Sequence, residues 1–202
     1  MGISQRRFIP SYEIINTLLG GWMVMLHEIA KDEDYCNLSQ EGFNKVSTEF
    51  LAFYYYYFDR IIYRLFGETK REEAMKEFKV CVIKALEGND KRLFQMDNKP
   101  FKIDTGVGGE LEFFSKYALE LNFSTICDER CAEYISCKNL FPIEGDPETM
   151  VNNAQLVFSK RISAMVKNNP EDSFCERVVE FTDKYLIFYT KRLKEIGILQ
   201  KE

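Results

Sequence analysis

The sequence predicts an all-α protein, an irregular bundle of six to seven helices in a single helical domain spanning residues 1–202. Three observations carry this expectation. Apolar residues recur at three- and four-residue steps over most of the chain, as one face of a helix requires. Residues that start and stop helices stand at the ends of those stretches. Only five prolines and eleven glycines occur among 202 residues, too few for the many turns of an all-β sandwich. The one departure lies near 93–103, where Leu93, Phe94, Met96, Phe101 and Ile103 flank Asp97-Asn98-Lys99-Pro100. A short β-hairpin and an extended loop both fit that pattern.

The first helix is expected from Pro10 or Ser11 to about Lys31, with Tyr12, Ile15, Leu18, Leu19, Trp22, Met23, Leu26 and Ile29 along its apolar side. Gly20-Gly21 in its interior costs roughly 1 kcal/mol per glycine relative to alanine. Close approach of a neighbouring helix is the usual compensation. The second helix organises the rest. It is expected from Ser39, a good N-cap, to Gly67, a good stop. Its middle, Phe50 to Phe58, has seven aromatic residues among nine and no charge. Phe43, Val46, Phe50, Phe53, Tyr57, Ile61 and Leu65 trace one face, Tyr54, Phe58, Ile62 and Phe66 widen it, and Tyr55, Tyr56 and Tyr63 fall outside it. A helix so aromatic is either covered on more than one side or presents rings to a partner.

Thr69 is expected to cap a third helix over Lys70 to Glu87, ended by Gly88-Asn89. After the 93–103 region, the periodicity of Leu111, Phe114, Tyr117, Ala118 and Leu121 predicts a helix from Glu110 to about Phe123, and a shorter one follows over Asp128 to Cys137. Asp146 as cap and Pro147 in the first turn start a helix that runs through Val166 to the break at Asn168-Asn169-Pro170. The last helix spans Glu171 to about Ile196, with Phe174, Val178, Phe181, Tyr185, Phe188 and Tyr189 as its stripe.

Composition narrows the function classes. The net charge of −5 disfavours non-specific nucleic-acid binding, which relies on Lys and Arg neutralising phosphates. The longest uncharged stretch near the N-terminus, Ile14 to Leu26, has thirteen residues, whereas a spanning helix needs about 20. It lacks the cleavage site of a signal peptide, and Arg6 stands where a myristoylation motif wants Ser or Thr. The expected location is therefore cytoplasmic, away from membranes, with the six cysteines as thiols.

Several groups of residues invite a chemical reading. Cys127, Cys131 and Cys137 place three potential thiolate ligands within eleven residues. Cys127 and Cys131 share a helical face, but Cys137 lies about 240° round from it, and the spacing departs from zinc-ribbon pairs. Small apolar packing residues are the alternative to metal ligands. His27 is the sole histidine, which excludes two-histidine metal sites. It could serve as a general base or as a helix-terminal charge. Asp104-Thr105-Gly106-Val107-Gly108-Gly109 resembles both an aspartic-protease tripeptide and a kinase nucleotide box. The first needs a β-rich lobe, and the spacing from His27 defeats the second. A glycine turn that binds an anion, or a plain flexible loop, remains.

No catalytic constellation, cofactor fingerprint or basic stripe is present, so no cofactor is predicted and an enzyme is disfavoured. The leading reading is a non-enzymatic regulatory or interaction protein. It would bind a protein partner, or a second copy of the chain, through Tyr55, Tyr56 and Tyr63. A second reading is a sensor holding a hydrophobic small molecule in an aromatic-lined pocket between the first two helices, at Gly20, Gly21, Trp22, Tyr54 and Tyr57. A third is a metal- or thiol-dependent protein using Cys127, Cys131 and Cys137.

Overall fold

A computed structural model describes residues 12–35, 37–88, 101–104, 110–113, 122–137, 139–167 and 172–195. The fold is all-α. Among the described residues the helices are α1 (Tyr12–Ile29), α2 (Gln40–Phe66), α3 (Glu68–Leu86), α4 (Phe123–Ile135), α5 (Pro147–Val151), α6 (Ala154–Val166) and α7 (Asp172–Glu195). One small antiparallel hairpin accompanies them, β1 (Phe101–Asp104) paired with β2 (Glu110–Phe113).

α2 is the axis of the bundle. It begins where expected, with the Ser39 hydroxyl accepting the Gly42 N–H at 3.1 Å. It ends at Gly67, whose N–H donates to the Tyr63 carbonyl and whose φ of 73° favours glycine. That residue alone separates α2 from α3. α3 starts at Glu68, so Thr69 lies inside it rather than capping it. α1, α3, α4 and α6 all pack against α2, and α7 packs against α1 and α6.

Every residue from 46 to 59 is buried. The rings are covered from several directions. Phe53 stacks on Phe158 of α6 at 4.3 Å and meets Tyr134 of α4 edge-on at 5.6 Å. Tyr55 and Phe58 contact Phe78 of α3, and Tyr54 and Phe58 contact Tyr189 of α7.

The same buried stretch holds two carboxylates, Glu49 and Asp59. Burying a charge without a partner is costly, and each has a two-pronged arginine. Arg130 of α4 donates Nε and Nη2 to Glu49 at 2.8 and 2.7 Å. Arg71 of α3 donates the same pair to Asp59 at 2.7 and 2.9 Å. Arg161 of α6 donates to Glu133 of α4 at 2.6 Å and brings its Nε within 4.0 Å of Glu49. The ions therefore fasten α3, α4 and α6 to α2 at fixed heights along it.

For the hairpin expected near 93–103, the arm at 93–96 and the turn at Asp97–Pro100 lie outside the described residues; 101–104 pairs forward, with Phe101 opposite Phe113 and Asp104 opposite Glu110. The helix expected from Glu110 is a strand over its first four residues. Phe-Lys-Ile-Asp and Glu-Leu-Glu-Phe both alternate apolar and polar, a two-residue period that outweighed the helical reading. The next helix begins earlier than expected, at Phe123.

The helix expected from Pro147 to Val166 is broken after Val151. Asn153 causes the break. Its side chain accepts the Leu156 N–H at 2.8 Å and donates to the Thr149 carbonyl at 2.9 Å, so it caps a new helix instead of continuing the old one.

The ion pairs yield a testable outcome. Replacing Arg130 by Met leaves the Glu49 carboxylate buried without its bidentate donor. Denaturant titration should register a loss of about 3–5 kcal/mol. The double variant Glu49→Leu with Arg130→Met should recover most of it. Equal losses in the single and double variants would show that the arginine stem, not the charge, holds α4 in place.

Candidate functional site

The tyrosine face expected to be exposed is mostly closed. Tyr55 and Tyr56 are 4 % and 2 % exposed, while Tyr63 is 42 % exposed. α4 supplies the cover. The Tyr56 hydroxyl donates to the Tyr134 carbonyl at 3.1 Å, and the Tyr55 ring meets Phe123 edge-on. The Tyr55 hydroxyl donates to the Met75 carbonyl of α3 at 3.1 Å. Of the three, only Tyr63 retains a surface role, with the Arg60 guanidinium 4.6 Å over its ring.

The pocket expected between α1 and α2 is core instead. A Cβ at Gly21 would stand 2.5 Å from Cε1 of Tyr189, so the glycine makes room for that ring. The Tyr189 hydroxyl donates to the Leu18 carbonyl at 2.9 Å. Trp22 is fully buried and donates its indole N–H to the Ser47 carbonyl at 2.9 Å. Tyr54 is fully buried against Tyr189 and Phe53, its hydroxyl without a hydrogen-bond partner among the described residues. Gly20 has nothing within 4 Å of where its Cβ would be. With Gly21, Val24, His27 and Phe188 it lines an open groove of about 710 Å³ on the outer side of α1 and α7. Burial and the nearby Lys31 lower the proton affinity of His27.

Cys127 and Cys131 sit in α4, against the core. Burial raises the Cys127 thiol well above the usual range and pushes Cys131 up to about 12. Cys137 donates its thiol to the Glu133 carbonyl. Among the described residues no three His, Cys, Asp or Glu side chains come together as a metal site. The glycine loop 105–109 lies outside the described residues.

What the fold does assemble is a trough between α2 and α7. Its centre is the segment 139–143, fixed by backbone hydrogen bonds. The first two N–H groups of α6, from Ala154 and Gln155, donate to the Asn139 and Leu140 carbonyls at 2.9 and 3.1 Å. The Ile143 N–H donates to the buried Thr149 hydroxyl at 2.8 Å. Phe141 is thereby held between two concavities of about 580 and 460 Å³, and both include Thr190. Leu186 and Ile187 of α7 line the larger; Tyr57 and Ile61 of α2 line the smaller. Tyr57 and Thr190 join the two walls through a 2.5 Å hydroxyl contact. Ile187 is 70 % exposed and Ile143 50 %. Of the residues proposed from sequence, Tyr57 lines this trough and Tyr63 stacks on Arg60, one of its lining residues. Sequence reasoning missed Phe141, Ile143 and Ile187. The available signal was that Ile187 is apolar yet off the buried stripe of α7, which runs through Val178, Tyr185, Leu186, Tyr189 and Leu193; Phe188, assigned to the stripe, is exposed.

No described helix is long and apolar enough to cross a membrane. Comparison with family models, with curated proteins and with solved structures gives no match in any of the three.

The two adjacent glycines separate packing from propensity. Gly21→Ala should lower stability by about 1–3 kcal/mol through overpacking against Tyr189, whereas Gly20→Ala should be neutral or gain up to about 1 kcal/mol. Urea midpoints of the two variants check this, and equal shifts would contradict the Tyr189 contact. The cysteines give a second check. In the folded protein at pH 8, Cys127 should alkylate at least about tenfold more slowly than the partly exposed Cys175, because burial disfavours its thiolate. Peptide mapping after timed iodoacetamide treatment measures the ratio; similar rates would mean that α4 opens readily.

Proposed function

We propose that the chain is a non-enzymatic interaction protein that docks a segment of a protein partner in the trough around Phe141. The observation that carries this reading is the exposure of Ile187 and Ile143 beside a backbone-anchored aromatic ring, where the other rings among the described residues are mostly packed inside. Such exposed apolar surface in a concave, ordered setting is characteristic of binding sites. The anchored 139–143 segment favours binding because little ordering entropy remains to be lost there. Tyr63, stacked on Arg60, extends the contact surface beyond the trough, so part of the aromatic helix still contributes. A hydrophobic small molecule is the second reading, supported by concavity volumes within the range of ligand pockets, about 300–1,000 Å³.

Site-specific photo-cross-linking distinguishes them. A benzophenone amino acid at Ile187 should yield a discrete protein adduct in cells, and the same group at Val80, an exposed apolar position on α3, should not. Ile187→Asp should abolish co-purification of that adduct's protein while changing stability by less than about 0.5 kcal/mol. Equal adducts from both positions, or none from Ile187, would overturn the docking reading.

A further inference from the structure

We infer that the docked segment is acidic and amphipathic, an apolar stripe flanked by carboxylates; this rests on the trough being a docking site. The charge around the trough is opposite to that of the chain. The protein carries −5 overall, yet the lining of the two concavities includes four cations, Arg60, Arg64, Lys191 and Lys194, against the carboxylates Asp183 and Glu195. Glu195 pairs with Arg192 at 2.5 Å, whereas the hydrogen bond that Asp183 accepts at 2.6 Å comes from the neutral Gln155 amide and cancels no charge. Arg60 stands 3.5 Å from the buried Asp59, whose own bidentate partner is Arg71. Arg64 and Lys191 are exposed and have no carboxylate partner among the described residues. Arg64 and Lys191 together outweigh Asp183, so the uncompensated charge at the trough is positive.

The spacing gives the arrangement a direction. Arg60 and Arg64 are four residues apart on α2, and Lys191 and Lys194 three apart on α7, so each wall carries cations about one helical turn apart. The same two concavities are lined by the apolar side chains of Phe141, Leu186, Ile187 and Ile61. A helix that seats leucine- or phenylalanine-like side chains against Phe141, with Asp or Glu along both flanks, meets both features at once. A basic segment would face like charge at the rim. Because the chain as a whole carries −5, an acidic partner is attracted at this positive trough and repelled by the chain's net charge, which gives specificity beyond that of apolar contact.

Fluorescence anisotropy with the full chain and three synthetic helical peptides tests the inference. One carries a leucine stripe flanked by glutamates, the second has lysines in place of the glutamates, and the third keeps the glutamates but replaces leucine by serine. The expected result is that only the first binds, that its affinity falls about tenfold between 50 and 300 mM salt, and that Arg64→Glu with Lys191→Glu weakens it about tenfold or more. Both substituted positions are on the surface, and the salt series on the unaltered chain needs no variant to fold. Equal binding of the lysine peptide, or an affinity indifferent to salt and to charge reversal, would overturn the acidic partner; loss of that binding in Ile187→Asp would then leave the trough as the docking site. Equal binding of the serine peptide would reduce the effect to unspecific charge attraction and overturn the amphipathic requirement. If no peptide binds while Ile187 still cross-links a protein, the acidic inference fails alone; if Ile187 cross-links none, the docking reading has failed with it.

Discussion

Enclosing a helix on every side leaves no face on which a charge can meet water, yet α2 carries Glu49 and Asp59 within its buried stretch. The arrangement of the bundle follows from that constraint. Each carboxylate must have a cation brought to it by another helix, and the guanidinium fork fixes both distance and orientation. Arg71 reaches Asp59 because Gly67 turns the chain directly from α2 into α3. Arg130 reaches Glu49 from α4, across a long separation in sequence. Arg161 adds α6 to the same set through Glu133. Buried pairs of this kind are weak evidence for net stability. What they do here is make wrong registers expensive, because a slip of one helix would strand an ion.

The aromatic core works within that frame. Phe and Tyr on α2 meet rings from α3, α4, α6 and α7, at centroid distances between 4.3 and 6.4 Å. Backbone carbonyls of α3 and α4 accept the buried hydroxyls of Tyr55 and Tyr56, whereas that of Tyr54 has no partner among the described residues. The Tyr189 hydroxyl reaches back to α1 in the space left by Gly21. A glycine that weakens α1 locally thus admits the ring that fastens α7 to it.

The trough is a by-product of how the chain passes between α4 and α6. The break at Asn153 frees the first turn of α6 to hold 139–140 by its N–H groups, which sets Phe141 between α2 and α7. Its walls come from residues around 60, 141 and 190, far apart in the chain, so no local motif announces it. Tyr57 and Tyr63 were identifiable as unusual aromatics, but the place of Tyr57 in a surface concavity, and of Tyr63 beside it on Arg60, depends on helices whose placement the local sequence does not specify.

By itself the sequence determined the class of fold, the limits of α2 and the need to cover its rings, because helical periodicity, an N-capping serine and a terminal glycine are local properties of the chain. It also contained, unread, the alternation of 101–104 and 110–113 and the capping character of Asn153. Only the tertiary structure decided which tyrosines are enclosed, that Tyr189 and not a ligand occupies the space beside Gly21, and that Arg64 and Lys191 flank the same trough. Those outcomes depend on which helices meet, and that choice is made by long-range ring packing and ion pairing, to which residues adjacent in sequence contribute no constraint.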